Sequence, residues 1–356
     1  MAKAQAKLIT NKTNIAYLAN FTGSAGFMLL TKNKSYLFTD SRYVIRAKNS
    51  LNKGVELVDI TRVWRNKKEL QEHWSEILQK HRVKTLGVEE ENMTMTKFKW
   101  FKKISKVKGK QVKFIDVSGE IEKTREIKSK KEIGMMKKSQ EINEKVFKAI
   151  KKVIQDFQKG KTRAAIQEID LAQKIKELGG KFGAEDVSFD PIVGFGKNSA
   201  SVHHNPGKTK LKKNDIVLID MGMKYKGYCS DMSRMILPPK PSEKMKEIYK
   251  LVLKAQLAGC KGVKAGISGA AADKLSREVI EEAGYGEFYS HSGGHGVGLD
   301  IHETPNLSKK FKGKLKENSV ITIEPGIYLP GKFGVRIEDM VLVKKNGNKN
   351  LTRIKK

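Results

Sequence analysis

Two acidic residues sit in each of two apolar hairpin-like segments, a costly placement unless a cation compensates. Asp220 ends the run Ile216-Val-Leu-Ile-Asp220, and Asp231 lies within Cys229-Ser-Asp-Met-Ser-Arg-Met235. With a symmetric turn between Tyr225 and Lys226, the two aspartates are predicted cross-strand partners, about 5 Å apart at Cβ. Glu324, in Thr322-Ile-Glu-Pro325, and Glu338, in Val335-Arg-Ile-Glu-Asp339, repeat the arrangement about Gly331 in a turn with two glycines and a proline. Like charges facing each other weaken a sheet unless something positive lies between them. Arg234 or Arg336 would serve for one hairpin alone; two such hairpins in one chain favour a bound cation.

Nitrogen donors are clustered too. Five of the seven histidines fall in two glycine-containing loops: His203 and His204 in one, His291, His295 and His302 in the other. Gly293, Gly294 and Gly296 disfavour a helix, so His291 and His295 are not an i, i+4 helical pair. His302-Glu303-Thr304-Pro305 lacks the second histidine of a zincin helix, and Gly207-Lys208-Thr209 lacks the first P-loop glycine, because position 202 is Val202. The glycines of the second loop also lack the strand-then-helix context of a dinucleotide site. Two Asp, two Glu and one His form a hard, oxygen-rich set suited to Mn²⁺, Co²⁺ or Zn²⁺, with enough oxygens to bridge two ions. Two ions about 3.5–4 Å apart would activate a water and polarise a carbonyl, so amide hydrolysis is the natural reaction.

Positioning these groups needs both hairpins and the helices behind them. The sequence predicts a helix from Ser129-Lys-Lys-Glu132, a capping box, to about residue 157, with Ile133, Met136, Ile142, Val146, Phe147 and Ile150 inward. Further helices are predicted over 163–178, 243–260 and 271–283, with a strand over 189–195. The order helix-hairpin, helix-hairpin suggests two related halves. The first third reads differently: a hairpin of 27–30 with 36–39, helices over 70–78 and 98–104, and a buried strand over 85–88, together a small α/β domain. A charged stretch over 120–131 separates the two parts, giving expected domains of 1–124 and 125–356 in an α+β chain.

The length of 356 residues fits two domains. Two cysteines exclude a disulfide framework, no segment approaches a membrane span, and the start of the chain lacks a signal-peptide apolar region. A reduced, cytoplasmic, soluble protein without membrane contact is expected. The formal net charge is +32, with +14 up to Lys128 and +18 beyond it. Basic residues are scattered through both parts rather than gathered in an arm, so nucleic acid is expected to bind only non-specifically.

The segments Asp220-Met-Gly, Gly227-Tyr-Cys-Ser-Asp-Met-Ser-Arg234, Gly294-His-Gly-Val-Gly-Leu-Asp-Ile-His-Glu303, Glu324-Pro-Gly-Ile-Tyr328 and Gly334-Val-Arg-Ile-Glu-Asp339 resemble the creatinase/methionine-aminopeptidase, or pita-bread, superfamily. Within it they are similar to the Xaa-Pro peptidases. Asn20-Phe-Thr-Gly-Ser-Ala-Gly26 and Thr39-Asp-Ser-Arg-Tyr43 resemble the creatinase N-terminal domain, in a form more like aminopeptidase P than prolidase. The resemblance implies a pita-bread catalytic domain and two divalent ions, Mn²⁺ foremost. It implies that Asp220 binds one ion, that Asp231 and Glu338 bridge both, and that His295 and Glu324 complete the second. Glu324 would be the general base toward a metal-bridging hydroxide, with His203, His291 and His302 positioning substrate and moving protons, and Arg336 and Tyr328 supporting them. Proline-containing peptides are the implied substrates and a homodimer the implied assembly. The expected activity is removal of the N-terminal residue from Xaa-Pro peptides; alternatives are an Xaa-Pro dipeptidase and an inactive relative that binds RNA or ribosomes. Three departures stand out: Val202 replaces a common proline, Ser233 a common threonine, and the chain starts late for the helix that usually precedes Tyr17-Leu-Ala-Asn-Phe21.

RNA retention should therefore be weak near 0.15 M salt, insensitive to sequence and steeply salt-dependent. Filter-binding titrations with unrelated RNAs check this; a tight complex with one RNA would favour the binding-protein alternative.

Overall fold

A computed structural model describes residues 3–61, 67–162 and 164–356. The chain divides into two compact units, Met1–Arg125 and Glu126–Lys356.

The first unit is built on a six-stranded mixed sheet ordered Val55–Asp59, Ser35–Thr39, Phe27–Thr31, Ala6–Ile9, Thr85–Val88, Lys113–Asp116. The predicted hairpin is present, Phe27–Thr31 antiparallel to Ser35–Thr39, and the predicted helices extend to Lys67–Lys80 and Met95–Ile104. Trp74, fully buried against Phe27 and Phe38, donates its indole N–H to Ser105 Oγ at 2.9 Å. Helices Lys12–Ala19 and Ser41–Ser50 escape the periodicity because they are short, yet both carry a cap signal. Asn11 accepts from Thr13 N and Asn14 N, and Asp40 from Arg42 N. Ahead of Tyr17 stands the strand Ala6–Ile9, and Tyr17 itself lies in the Lys12–Ala19 helix.

The second unit runs through the same order twice. Helices Lys130–Gln158 and Glu168–Lys181 lead to strand Ile192–Phe195 and a hairpin of Val217–Met221 with Met232–Ile236. Helices Glu243–Gly262 and Gly269–Glu282 then lead to strand Gly294–Gly296 and a hairpin of Val320–Ile323 with Asp339–Lys344. In each half the single strand pairs antiparallel with the first arm of its hairpin. The capping box forms, Ser129 Oγ accepting from Glu132 N and Glu132 Oε2 from Ser129 N, and the six predicted inward residues are buried. The helix expected from residue 163 begins at Glu168, where Gln167 and Asp170 form a reciprocal cap; Arg163 lies outside the described residues. Gly294–Gly296, read from sequence as loop, is a strand. A Cβ on Gly294 would stand 2.1 Å from Thr322 O, so only glycine lets this strand pass so close to its neighbour.

The two hairpins treat the predicted pairings differently. In the second, registers Gly326↔Arg336 and Ile323↔Asp339 place Glu324 and Glu338 opposite each other, in the short gap between two ladders. In the first, Asp220 faces Ser233 rather than Asp231. The turn is centred on Lys226-Gly227, both at positive φ (50° and 77°), one residue later than a symmetric placement assumed. Asp231 is thereby two positions from its expected partner, a shift of even parity that leaves both carboxylates on one face of the hairpin.

Gly294→Ala should cost about 1–3 kcal/mol through forced backbone displacement, read as a lower denaturant midpoint with an unchanged slope.

Candidate active site

A cavity of about 440 Å³ in the second unit gathers the predicted residues. Asp220, Asp231, Glu324 and Glu338 from the hairpins, and His203, His204, His291, His295 and His302 from the loops and the Gly294–Gly296 strand, all line it. At its floor Asp231, His295 and Glu338 offer ligand atoms that all lie within 4.8 Å of one another. His295 Nδ1 donates to Gly296 O at 3.1 Å, so Nε2 keeps its lone pair. That nitrogen faces Asp231 Oδ2 and Glu324 Oε1, each at 3.5 Å. Asp220 stands beside the trio with its Oδ2 held by Arg336 Nη2 at 2.5 Å.

The electrostatics of this floor are incomplete without a cation. Asp220 Oδ1 and Asp231 Oδ1 are buried and accept no hydrogen bond. Burial, with Glu338 and the other carboxylates nearby, holds the Asp231 carboxyl far above its usual range. Burial and the Glu324 and Asp220 charges do the same to Glu338. Glu324 is pushed up to about 7 by burial, although the Arg336 charge opposes the shift. Orphaned carboxylate oxygens around an imidazole lone pair suit a divalent cation, which lone protons or a single arginine would satisfy poorly.

A second set of contacts fixes these groups. Arg336, 2% exposed, donates Nε to Ser233 Oγ at 2.9 Å, Nη1 to Tyr328 OH at 2.7 Å and to Val202 O at 3.2 Å, and Nη2 to Asp220. Ser233 Oγ in turn donates a hydrogen bond to Glu338 Oε2 at 2.9 Å, a task for which a serine hydroxyl is as good as a threonine's. Val202 contributes its carbonyl, so the side chain found there matters little to this contact. His291 has both nitrogens engaged: Nδ1 donates to Ser292 O at 2.8 Å, and Nε2 accepts from Tyr328 OH at 2.9 Å. Burial, then the Arg336 charge, pushes its pKa down to about 3, so it is neutral. His302 stacks edge-on against His295, with ring centroids 4.3 Å apart. The next residue, Glu303, is ion-paired at 2.6 Å with Lys128, both side chains buried. Thr322 is a contact that sequence reasoning missed: its Oγ1 accepts from His295 N at 3.0 Å and donates to Glu324 Oε1 at 3.3 Å. Its position two residues before Glu324, on the same strand face, was the available signal.

Among known proteins, residues 134–345 match metallopeptidase family M24 and residues 1–127 the creatinase/prolidase N-terminal domain. The chain is 36% identical over 357 residues to an Xaa-Pro dipeptidase of Pyrococcus horikoshii, covering 98% of this chain and 92% of that one. The solved Xaa-Pro dipeptidase from Bacillus anthracis superposes with a TM-score of 0.90 at 37% identity, over 99% of this chain and 94% of that one. An X-Pro aminopeptidase from Thermotoga maritima gives 0.87 at 34% identity, over 99% and 96%.

Metal-free protein should lose stability as pH rises above about 6.5, through the Glu324 value of about 7. A raised carboxyl pKa means the folded state keeps a proton that the unfolded chain has released, so stabilisation present at low pH disappears as pH climbs through the folded value. His291, His295 and His302 are lowered by burial and act in the opposite sense, but only below their ordinary value of 6.5. Above that pH the carboxyls decide. Melting temperatures of chelator-treated protein across this interval check the slope, and saturating Mn²⁺ should abolish it.

Proposed function

The chain belongs to metallopeptidase family M24, with a creatinase-type N-terminal domain before a pita-bread catalytic domain, and we propose that it is a dinuclear aminopeptidase that removes the N-terminal residue from Xaa-Pro peptides. Asp220, Asp231, His295, Glu324 and Glu338 would hold the two ions, with Mn²⁺ preferred and Co²⁺ or Zn²⁺ as substitutes. The observation that carries this reading is the His295 Nε2 lone pair facing Asp231 and Glu324 at the floor of a peptide-sized cavity. When bound, the ions supply an activated water and polarise the scissile carbonyl.

The protein's own groups then divide the remaining work. Glu324, whose carboxyl lies near 7 before metal binds, is the proton acceptor for the attacking water. The leaving proline nitrogen is a secondary amine that must be protonated. His291 has no free nitrogen for that step, so it orients Tyr328 and the cavity wall. Proton delivery falls to His203 and His302, which line the same cavity.

The preference for longer peptides rests on Arg336. It is the one lysine or arginine among the described residues lining the cavity, and four of its five N–H donors are committed to protein acceptors. A dipeptide's carboxylate has no ready cation there, whereas a continuing chain needs none. The relatives named as Xaa-Pro dipeptidases favour the second reading, a dipeptidase.

Asp231→Ala should remove bound metal and activity together, while Glu324→Gln should cut turnover more than metal content. Elemental analysis of both variants checks this, and full metal content with normal turnover in Asp231→Ala would sink the dinuclear reading. Xaa-Pro-Yaa tripeptides should be cleaved with kcat/KM at least equal to that of Xaa-Pro dipeptides. A dipeptide advantage above about tenfold, roughly 1.4 kcal/mol of differential transition-state binding, would make the protein a dipeptidase.

A further inference from the structure

The loop over 196–209 carries His203 to the cavity wall, and a single buried carboxylate holds that loop along its length. Glu168, the first residue of helix Glu168–Lys181, is 0% exposed. Its Oε1 accepts from Phe195 N and Asn198 Nδ2, both at 2.8 Å. Its Oε2 accepts from Gly207 N at 3.2 Å and lies 2.9 Å from His204 Nε2. An oxygen already serving as acceptor takes a hydrogen from that imidazole, which makes Nε2 the protonated nitrogen of His204. Donors at positions 195, 198, 204 and 207 therefore meet on one side chain, pinning the loop at its start, middle and end.

The cavity side of the loop is tied separately. Ser199 Oγ accepts from Gly334 N at 2.9 Å, and Val202 O accepts from Arg336 Nη1 at 3.2 Å. His203 lies between these anchorages, one residue after Val202 and one before His204. Among the described residues His204 is the ion-pairing partner of Glu168. Closing a loop does not by itself require a carboxylate fully withdrawn from water, where it is costly unless every lone pair is used. Here each oxygen meets two N–H groups, so the charge is compensated only while the loop keeps one shape.

We propose that Glu168 and His204 form a positioning pair for His203. They fix its backbone so that the imidazole reaches the proline nitrogen; Glu168 lies outside the cavity lining, and His204, which borders the cavity, turns its Nε2 to Glu168. The inference rests on the Xaa-Pro peptidase reading for the identity of that nitrogen. Displacement of a proton donor by about 1 Å costs on the order of a hundredfold in rate, while ground-state binding of the peptide depends little on this histidine.

Steady-state kinetics on an Xaa-Pro-Yaa tripeptide, with metal content measured for each protein, test the pair. Glu168→Gln preserves shape but presents an NH₂ to two N–H donors. It should lower kcat roughly tenfold to a hundredfold, leave KM within about threefold and leave metal content unchanged. His204→Ala should behave alike, and His204→Gln, which retains an N–H donor, should recover most of the loss. Glu168→Gln combined with His203→Ala should be no slower than His203→Ala alone, because both act through one group. Losses that multiply in the double variant, or a change confined to KM or metal content, overturn the proposal. If Glu168→Gln does not fold, His204→Ala combined with His203→Ala applies the same criterion. Inactivity of the wild type toward every Xaa-Pro peptide would overturn the peptidase reading and this inference with it, whereas an active wild type with multiplying losses removes the positioning pair alone.

Discussion

Carboxylates packed together and withdrawn from water repel one another, and the second unit is organised around making that repulsion useful. Asp231 and Glu338 share a floor with His295, and none of the three can be satisfied by the others. Each half supplies a hairpin with two of the acids, so the groups meet only where the halves face one another. Arg336 neutralises part of the charge by holding Asp220. The rest is left for the metal that family M24 enzymes use, whose binding would release the protons that the raised carboxyls hold.

The arrangement also explains why the hydrogen-bonded surroundings are so closely shared. Ser233 donates to Glu338 and accepts from Arg336, Tyr328 accepts from Arg336 and donates to His291, and Thr322 links His295 to Glu324. Asp220, His295, Glu324 and Glu338 thus each have a protein contact that fixes their direction before any ion arrives. Preorganisation of this kind limits the reorganisation required at the moment of reaction.

Much of this was legible in the sequence because the signals were strong and local. Acids inside apolar strands, histidines concentrated in two glycine-containing loops, and a capping box at Ser129 each have a physical reason to be noticed. The second hairpin's register followed from its turn, since Gly331 is central and the pairing is regular. The first did not, because a lysine at φ 50° is an unfavourable occupant of its turn and gave no warning of the shift. Gly294–Gly296 was misread as loop for a related reason: glycine is a poor strand former, and its value there is the close approach to Thr322 O that only tertiary structure reveals. Glu168 carried no signal within the helix expected over 163–178, because its four partners come from residues 27 to 39 positions away.

The buried pair between Lys128 and Glu303 bears on how the catalytic part of the chain can be excised. The compact unit begins at Glu126 and the family match at residue 134, so a fragment cut at the later point would look complete by similarity. It would nevertheless remove the lysine side of that pair, one residue from the cavity-lining His302, together with the Ser129–Glu132 capping box of the Lys130–Gln158 helix. The workable boundary for a catalytic fragment therefore lies upstream of the recognisable domain, and minimal fragments or fusions should be drawn to include residues 126–133.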